Sequence, residues 1–305
     1  MKTVKIGNLP KVPSIAVGCM RMHALDEKSA AEYLATAVEN GLNFFDHADI
    51  YGRGKSETVF AKACKDAVIK REDLILQSKC GIVSGKMYDF SKQHILNSVD
   101  GILSRLDTDY IDILLLHRPD ALMQPEEVGE AFDILREQGK VKQFGVSNMN
   151  PSQISLLQSG LKCPVVANQI QFSPVHAGAV RSGFEFNMLT KGAADRDGGV
   201  LEYCRLNGIT PQAWSPFQYG FIRGTYMGNP LFARLNKTLS EIGAAHGISA
   251  SATVVAWISR HPANIQTIAG TMNLSRLLDV KKGADVELSR EEWYEIYTAA
   301  GNRLP

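Results

Sequence analysis

The chain has 305 residues, with 33 Lys and Arg balanced by 32 Asp and Glu, and this near balance gives no electrostatic reason to expect a nucleic acid or anionic membrane partner. No apolar run is long enough to cross a bilayer, and the N-terminus lacks the apolar core of a secretion signal. The five cysteines have no CxxC spacing, which argues against a disulfide framework and favours reduced thiols in a cytoplasmic protein.

The first predicted element is a short hairpin, MKTVKIGNLPKVPSI, which turns at residues 8–11. Eight short apolar runs follow, and most of them end in a polar residue. Runs of this length, bounded by polar or turn residues, are typical of buried parallel strands. In chain order they are SIAVGCM, NFFD ending at Asp46, LILQSKC with Lys79, DILLLHRPD with His117, KQFGVSN with Ser147 and Asn148, VVANQIQF with Gln169, TPQAWSP with Trp214, and IQTIAG leading to Thr271.

Segments with helical spacing lie between these runs. Apolar residues recur on one helix face over residues 59–67, 95–106 and 128–135. Strand and helix alternate along the chain, and eight such units in about 300 residues favour a (β/α)₈ barrel over a doubly wound open sheet. No GxGxxG motif follows the first strand, which counts against a dinucleotide site of the open-sheet type. We expect one domain, residues 1–305, because no linker or repeat divides the chain.

Four residues near these strand ends have complementary chemistry. A tyrosine that donates a proton at neutral pH needs a nearby cation, because the reference pKa of a phenol is near 10. Lys79 is suited to assist Tyr51 in this way, and Asp46 to keep the lysine charged. His117 would then either donate a hydrogen bond to the substrate oxygen or relay its proton. The active site of a barrel lies at the C-terminal ends of its strands, so the sequence predicts one proton-donating site there.

The order of several motifs strengthens this hypothesis. GLNFFDHADIYGRGKSE is followed by SKC, LLLHRPD, GVSN, NQIQFSP and AWSPF. Over nearly its whole length the chain resembles the aldo-keto reductase family, and within it the bacterial YdhF-like oxidoreductases. The resemblance implies a TIM barrel capped at the bottom by an N-terminal hairpin, NADPH as cofactor, and reversible reduction of aldehydes or ketones to alcohols. We expect no metal site, because the histidines have no metal-ligand spacing with the cysteines.

The resemblance also implies roles for individual residues. Tyr51 would be the general acid, Lys79 would lower its pKa, Asp46 would pair with Lys79, and His117 would orient the carbonyl. The nicotinamide carboxamide would bind Ser147, Asn148 and Gln169, and the ring would stack on Trp214. The loop from Ser215 to Tyr226 would cover the pyrophosphate. For the adenosine end the implied residues are Gly270, Thr271, Met272, Arg276 and Asp279.

The chain departs from the usual family pattern at a few positions. Gly270 and Val280 stand where many members have lysine and asparagine, so we expect NADP to be preferred over NAD with reduced discrimination. His47 replaces a common threonine, with no evident consequence. The insertion at residues 175–197, with its Phe184, Phe186 and Met188, is predicted either to line the substrate pocket or to form a surface helix pair.

Three functional hypotheses remain open from the sequence. The first is a carbonyl reductase acting on a small-molecule carbonyl substrate. The second is a nicotinamide-sensing protein on the same barrel with little turnover. The third is a phosphate-binding isomerase or aldolase in which Lys79 forms a Schiff base. The intact Asp, Tyr, Lys and His set favours the first, while the physiological substrate and oligomeric state are not defined by the sequence.

Overall fold

The central feature of the computed structural model, which describes residues 1–304, is a closed barrel of eight parallel strands surrounded by helices. The strands are β1 (Thr3–Val4), β2 (Val12–Pro13), β3 (Ile15–Gly18), β4 (Phe44–Asp46), β5 (Ile75–Cys80), β6 (Ile82–Val83), β7 (Met87–Tyr88), β8 (Ile111–Leu116), β9 (Val141–Ser147), β10 (Val165–Gln171), β11 (Thr210–Trp214), β12 (Gln218–Tyr219), β13 (Gly224–Thr225) and β14 (Gln266–Ala269). The spatial order around the barrel is β10, β11, β14, β3, β4, β5, β8, β9.

The helices cover the outside of the barrel with their apolar faces inward, as in the helix Lys92–Leu106, where Ile95, Val99 and Ile102 are fully buried. Side-chain caps define several of their N-termini, as at Ser91, whose hydroxyl accepts from the His94 amide. The α-helices are α1 (Glu27–Glu39), α2 (Lys55–Asp66), α3 (Lys92–Leu106), α4 (Pro125–Glu137), α5 (Pro151–Ser159), α6 (Gly178–Phe184), α7 (Val200–Leu206), α8 (Ala233–Ala245), α9 (Ala250–Arg260), α10 (Leu274–Lys282) and α11 (Arg290–Ala299). Short 3₁₀ helices span Met22–Ala24, Tyr51–Gly54, Arg71–Asp73, Lys191–Ala193, Pro230–Phe232 and Gly283–Asp285.

The predicted (β/α)₈ barrel is confirmed. All eight apolar runs form its strands, and neighbouring strands pair in parallel, for example β4 with β5 and β5 with β8. Because the strands are parallel, their C-terminal ends gather at one end of the barrel. Asp46 is paired with Gln77, and Lys79 with Leu115, in adjacent strands. The polar residues that end the sequence runs therefore lie side by side at one mouth.

The predicted N-terminal hairpin closes the opposite end. β1 pairs antiparallel with β2, and Val4, Ile6 and Val12 pack with apolar side chains from inside the barrel. The turn is tied to the barrel by the amide of Asn8, which donates to Oε1 of Gln143 at 3.0 Å. This end of the barrel is thus filled, and the open mouth is the end where the strands finish.

Two small hairpins rise from the open mouth. β6 pairs with β7, and β12 pairs with β13, both antiparallel.

The insertion at residues 175–197 lies against the outer helix α11. Phe184 packs on the rings of Tyr294 and Tyr297 from α11, whereas the side chain of Phe186 is 82% exposed. The structure therefore favours a surface helix for this insertion rather than a wall of the substrate pocket.

Within residues 1–304, no helix taken singly is both long and apolar enough to span a bilayer, although one sharply bent pair, Pro230–Ala245 with Ala250–Arg260, meets the criteria of length and composition jointly.

Candidate active site

The four predicted catalytic residues converge at the open mouth of the barrel. Nζ of Lys79, at the end of β5, lies 2.8 and 2.9 Å from the two carboxylate oxygens of Asp46. The same ammonium lies 2.7 Å from the backbone oxygen of His47 and 3.2 Å from Oη of Tyr51. The ring of His117 stands edge-on to the Tyr51 ring, with centroids 6.0 Å apart. A tyrosine hydroxyl thus contacts a cation that a carboxylate holds in place.

The loop that carries Tyr51 is shaped by glycines and fixed by a buried ion pair. Gly54 has φ of 86° and precedes α2, and an added Cβ would lie 2.7 Å from Cδ of Arg105, so only glycine suits this turn. The fully buried Glu57 accepts from Oγ of Ser78 at 2.9 Å and from Nε of Arg105 at 2.7 Å. These bonds tie the start of α2 to β5 and α3, and they hold the Tyr51 loop beside Lys79.

Burial and charge act in opposite directions on the two central ionisable groups. Burial is the largest single influence on Lys79 and disfavours its charge, but the Asp46 carboxylate and the Tyr51 hydroxyl together outweigh burial and raise the lysine pKa above its ordinary value. Burial raises the pKa of Tyr51, and the Lys79 ammonium offsets only part of this shift. Lys79 thus lowers the pKa of Tyr51, as expected, but burial raises it by more, so the net shift is upward. The phenol stays protonated at neutral pH.

The two histidines of the site are neutral for a similar reason. Burial, together with the charges of Lys79 and Arg118, holds the pKa of His117 well below its usual range. Burial and Lys79 lower the pKa of His47 to about 3. The His47 ring packs edge-on against Phe60, with centroids 4.5 Å apart, while its backbone oxygen binds Lys79. His47 therefore serves the site through its backbone, and its ring fills the core.

A layer of buried glutamines beneath the site was not predicted. Nε2 of Gln77 lies 2.7 Å from Oδ1 of Asp46 and 3.0 Å from Oε1 of Gln212. Nε2 of Gln169 also reaches Oδ1 of Asp46, at 3.1 Å. Gln212 continues the chain to Gln266 at 2.8 Å. The signal was present in the sequence, since Gln77 precedes Lys79 by two residues and so shares its face of the strand.

The residues predicted to hold a nicotinamide adjoin this site. Oγ of Ser147 donates to the backbone oxygen of Gln169 at 3.0 Å, and Nδ2 of Asn148 donates to Oγ of Ser147 at 2.7 Å. Nε1 of Trp214 donates to Oδ1 of Asn148 at 3.1 Å, which fixes the plane of the indole. These four residues and Ser215 line one cavity with Tyr51 and His117. The structure brings these predicted residues together.

The residues predicted for the adenosine end lie at the other side of the same cavity. Gly270, Thr271, Arg276 and Asp279 line it, whereas Met272 is absent from the lining and packs against the core. The Asp279 carboxylate accepts from Oγ of Ser249. Arg21, in the segment that follows β3, donates to the backbone oxygen of Gly270 at 3.0 Å. This side of the cavity therefore has two arginines and lacks Met272.

The cavity has a volume of about 810 Å³ and runs from the catalytic residues to the start of α10. Its walls at the mouth include Ile82 and Tyr88 from one hairpin and Phe221 and Ile222 from the other. A cavity of this size, lined by a proton donor and by cations, can hold a cofactor and a small substrate together. The chemistry available is proton transfer from Tyr51, with charge stabilisation by Lys79.

Comparison with known proteins agrees with this geometry. The model of the aldo/keto reductase family matches residues 14–300. A 6-dehydroglucose reductase of Agrobacterium fabrum is 33% identical over 312 aligned residues, covering 98% of each chain. The oxidoreductase YdhF of Escherichia coli is 33% identical over 302 residues, covering 95% of this chain and 94% of YdhF.

Among solved structures, an aldo-keto reductase from Klebsiella pneumoniae in complex with NADPH has a TM-score of 0.79 at 24% identity, covering all of this chain and 96% of that one. This likeness supports the barrel fold. The family match and the two relatives extend over nearly the whole sequence, including every strand of the barrel that carries the site. The chain therefore belongs to the aldo/keto reductase family.

Proposed function

We propose that this protein is a single-domain, NADPH-dependent reductase of aldehydes or ketones in which Tyr51 is the proton donor. The observation that carries the proposal is the contact of 3.2 Å between Oη of Tyr51 and Nζ of Lys79, whose charge is held by Asp46. This hydroxyl opens onto a cavity that His117 also lines. The solved relative that contains NADPH makes this the natural cofactor to test.

Each side chain of the site has a separate role in the proposed reaction. NADPH, when bound, supplies the hydride. The raised pKa of Tyr51 keeps its proton available at neutral pH, and the Lys79 ammonium stabilises the negative charge that forms as this proton leaves. The neutral imidazole of His117 can bond the substrate oxygen without competing for that proton. An ammonium that is charged and surrounded by acceptors is a poor Schiff-base nucleophile, which disfavours the aldolase alternative.

The residues of the cavity fit the cofactor. Gln169 gives its amide nitrogen to Asp46, so its carbonyl oxygen remains to accept from a carboxamide. The Trp214 indole, fixed by Asn148, offers a flat face for a ring. The guanidinium of Arg276 forms no ion pair within residues 1–304 and is exposed near the N-terminus of α10, where a phosphate is well accommodated. We expect NADPH to be preferred over NADH on this ground.

The test is oxidation of NADPH, followed by its absorbance, with a panel of aldehydes and ketones that includes hydroxylated aldehydes, because one relative is named a 6-dehydroglucose reductase. We expect Tyr51→Phe to lower kcat by about 10²–10⁴, the usual contribution of a general acid. The variant should still quench its tryptophan fluorescence with NADPH, because only the hydroxyl is lost.

Tyr110→Phe is the matched control, since it keeps the ring on which Arg71 stacks, away from the cavity. It should leave both turnover and binding unchanged. Turnover of Tyr51→Phe at the rate of the unmodified protein would refute the assignment of the proton donor. NADPH binding without turnover of any carbonyl would instead favour the sensing hypothesis.

A further inference from the structure

Arg118 follows His117 in the chain and lines the substrate end of the cavity. Its Cζ lies 5.7 Å from the centroid of the Trp214 ring and 5.9 Å from that of Phe221. Both distances are within the range of cation–π attraction. The guanidinium is half-buried. A planar cation therefore lies within reach of two aromatic rings, and it directly follows the catalytic histidine in the chain.

No carboxylate neutralises this cation within the described chain, residues 1–304, where Arg118 has no ion pair. The nearest acid in sequence, Asp120, is engaged elsewhere, because its two oxygens accept from the backbone amides of Phe90 at 2.9 Å and Leu122 at 2.8 Å. Of the acids that line the cavity, Asp46 is bound to Lys79 and Asp279 to a serine. The charge of Arg118 is thus left for a ligand.

The other arginines of the cavity lie at its far end. Arg21 bonds the backbone of Gly270, and Arg276 begins α10, in the part of the cavity proposed for the cofactor. Trp214 and Phe221 lie beside Arg118, and the two mouth hairpins add the apolar side chains of Ile82 and Ile222 to the walls of the same cavity. One cation within apolar walls, next to a site for a carbonyl oxygen, is complementary to a molecule with an apolar stem and one anionic group.

We propose that Arg118 binds an anionic group of the substrate, so that the preferred substrates are aldehydes or ketones carrying a carboxylate on an apolar stem. This inference rests on the proposed reductase function and adds the substrate class. Guanidinium and carboxylate match in geometry and form paired, charge-assisted hydrogen bonds. Burial lowers the pKa of Arg118, so desolvation already disfavours its charge, and an anion in the cavity relieves that cost.

The test compares substrates that differ in charge and little else. The isomers 3- and 4-formylbenzoate present a carboxylate at two distances from the aldehyde, and their methyl esters keep the ring and the electron withdrawal without the charge. For the better isomer we expect kcat/KM to exceed that of its ester by roughly 10- to 100-fold, the range for hydrogen bonds to charged groups. The difference should appear mainly in KM and should shrink as salt is added.

Arg118→Met removes the charge and keeps a long unbranched stem near the two rings. It should abolish the preference by lowering kcat/KM for the acid while changing the value for the ester by less than about threefold. Arg118→Lys should restore part of the preference. Arg223→Met is the matched control, because Arg223 is exposed on the same hairpin as Phe221 and does not line the cavity. It should behave as the unmodified protein does.

The outcomes separate this inference from the function on which it rests. If neither the acids nor the esters are reduced, the proposed reductase function fails. If acids and esters are reduced equally well, or if Arg118→Met slows both alike, reductase activity stands and the anion site is refuted. More efficient reduction of a neutral hydroxylated aldehyde, with equal dependence on Arg118, would also overturn the proposal, because the guanidinium would then recognise hydroxyl groups.

Discussion

We expect the ion pair of Lys79 and Asp46 to contribute both to the stability of the fold and to the proposed proton transfer from Tyr51, and one pair of variants separates the two contributions. Both side chains are inaccessible to solvent, with exposed fractions of 0% and 3%. Lys79→Met removes the ammonium and keeps an unbranched stem. Adding Asp46→Asn removes the charge that would otherwise be left buried. Lys79→Met alone and Lys79→Met combined with Asp46→Asn should differ in their free energy of unfolding and have the same lowered kcat.

The loss of stability follows from the contacts that remain. Removing one partner of a buried ion pair costs about 3–5 kcal/mol, because the other charge stays buried without compensation. In Lys79→Met, the Asp46 carboxylate still accepts from Gln77 at 2.7 Å and from Gln169 at 3.1 Å. We therefore expect the lower end, about 3 kcal/mol. The double variant has no buried charge at this place and should recover all but about 1 kcal/mol, the usual net value of a hydrogen bond.

The loss of activity follows from the distance between the cation and the phenol. At 3.2 Å, the attraction between the Lys79 ammonium and a full negative charge on Tyr51 is about 5 kcal/mol at an effective dielectric constant of about 20. The Asp46 carboxylate, bound to the same ammonium, cancels part of it. A net contribution of about 2–3 kcal/mol to the transition state corresponds to a rate reduced about 30- to 150-fold. Both variants should show this reduction.

Urea unfolding measures the free energy of unfolding, and NADPH oxidation with one aldehyde measures kcat. Lys142→Met is the matched control, because Lys142 bonds Asp112 at 3.0 Å from a partly exposed position, where an ion pair is worth at most about 1 kcal/mol. Recovery of full activity by the double variant would refute the role of the Lys79 charge. An unchanged free energy of unfolding in Lys79→Met would refute the reasoning about the buried pair.

Two predictions concern pH. Burial and the Glu57 carboxylate raise the pKa of Asp49 to about 7, so its protonated form stabilises the fold at pH values below the unfolded pKa, and this contribution is lost as the pH rises through about 7. At pH 8 the free energy of unfolding of Asp49→Asn should therefore exceed that of the unmodified protein by about 1–3 kcal/mol, and at pH 4 the two values should be similar. A difference in the free energy of unfolding that is the same at both pH values would contradict this prediction. Since burial, Lys79 and Arg118 hold the pKa of His117 well below its usual range, kcat measured in the Asp49→Asn background should show no transition between about pH 5.5 and 8. An acid limb near the ordinary histidine pKa would show that the imidazole is not neutral in the working enzyme.

The barrel and the core of the site could be predicted because the relevant signal is local in the sequence. Each strand is a run of apolar residues, and Asp46, Lys79 and His117 follow or end such runs. In a parallel barrel the strand ends meet at one mouth, so three separate positions become neighbours without any knowledge of side-chain contacts. The direction of the Tyr51 pKa could not be predicted in this way, because it depends on how deeply the phenol is buried.

Other features depend on contacts that the sequence does not encode locally. The strands of the two mouth hairpins are two residues long, too short for an alternating pattern, so the walls around Ile82 and Phe221 had no signal. Met272 resembles a cofactor residue by position, yet its side chain packs against the core. Phe184 is apolar, as a residue lining a substrate pocket would be, but its side chain packs on the Tyr297 ring of α11 instead.

The cavity also breaks a rule that holds inside the strands. Successive side chains of a strand point to opposite faces, so of two adjacent residues only one should face the mouth, yet Ser147 and Asn148 both line the cavity. The strand ends at Ser147, and Asn148 has φ of 58°, which turns its side chain back towards the mouth. Ser215, with φ of 49° after Trp214, repeats the arrangement.

The pair formed by His117 and Arg118 has the same origin. β8 ends at Leu116, so neither residue is bound by strand alternation, and both reach the cavity. The motif LLLHRPD predicts a strand that ends in one catalytic residue, His117, and by itself it indicates no role for Arg118. Because the strand stops before them, two consecutive side chains line one cavity. On the proposed function, His117 lies beside the reacting carbonyl oxygen and Arg118 binds the far end of the substrate. The residue that follows the histidine is therefore a position at which this barrel can set its substrate specificity.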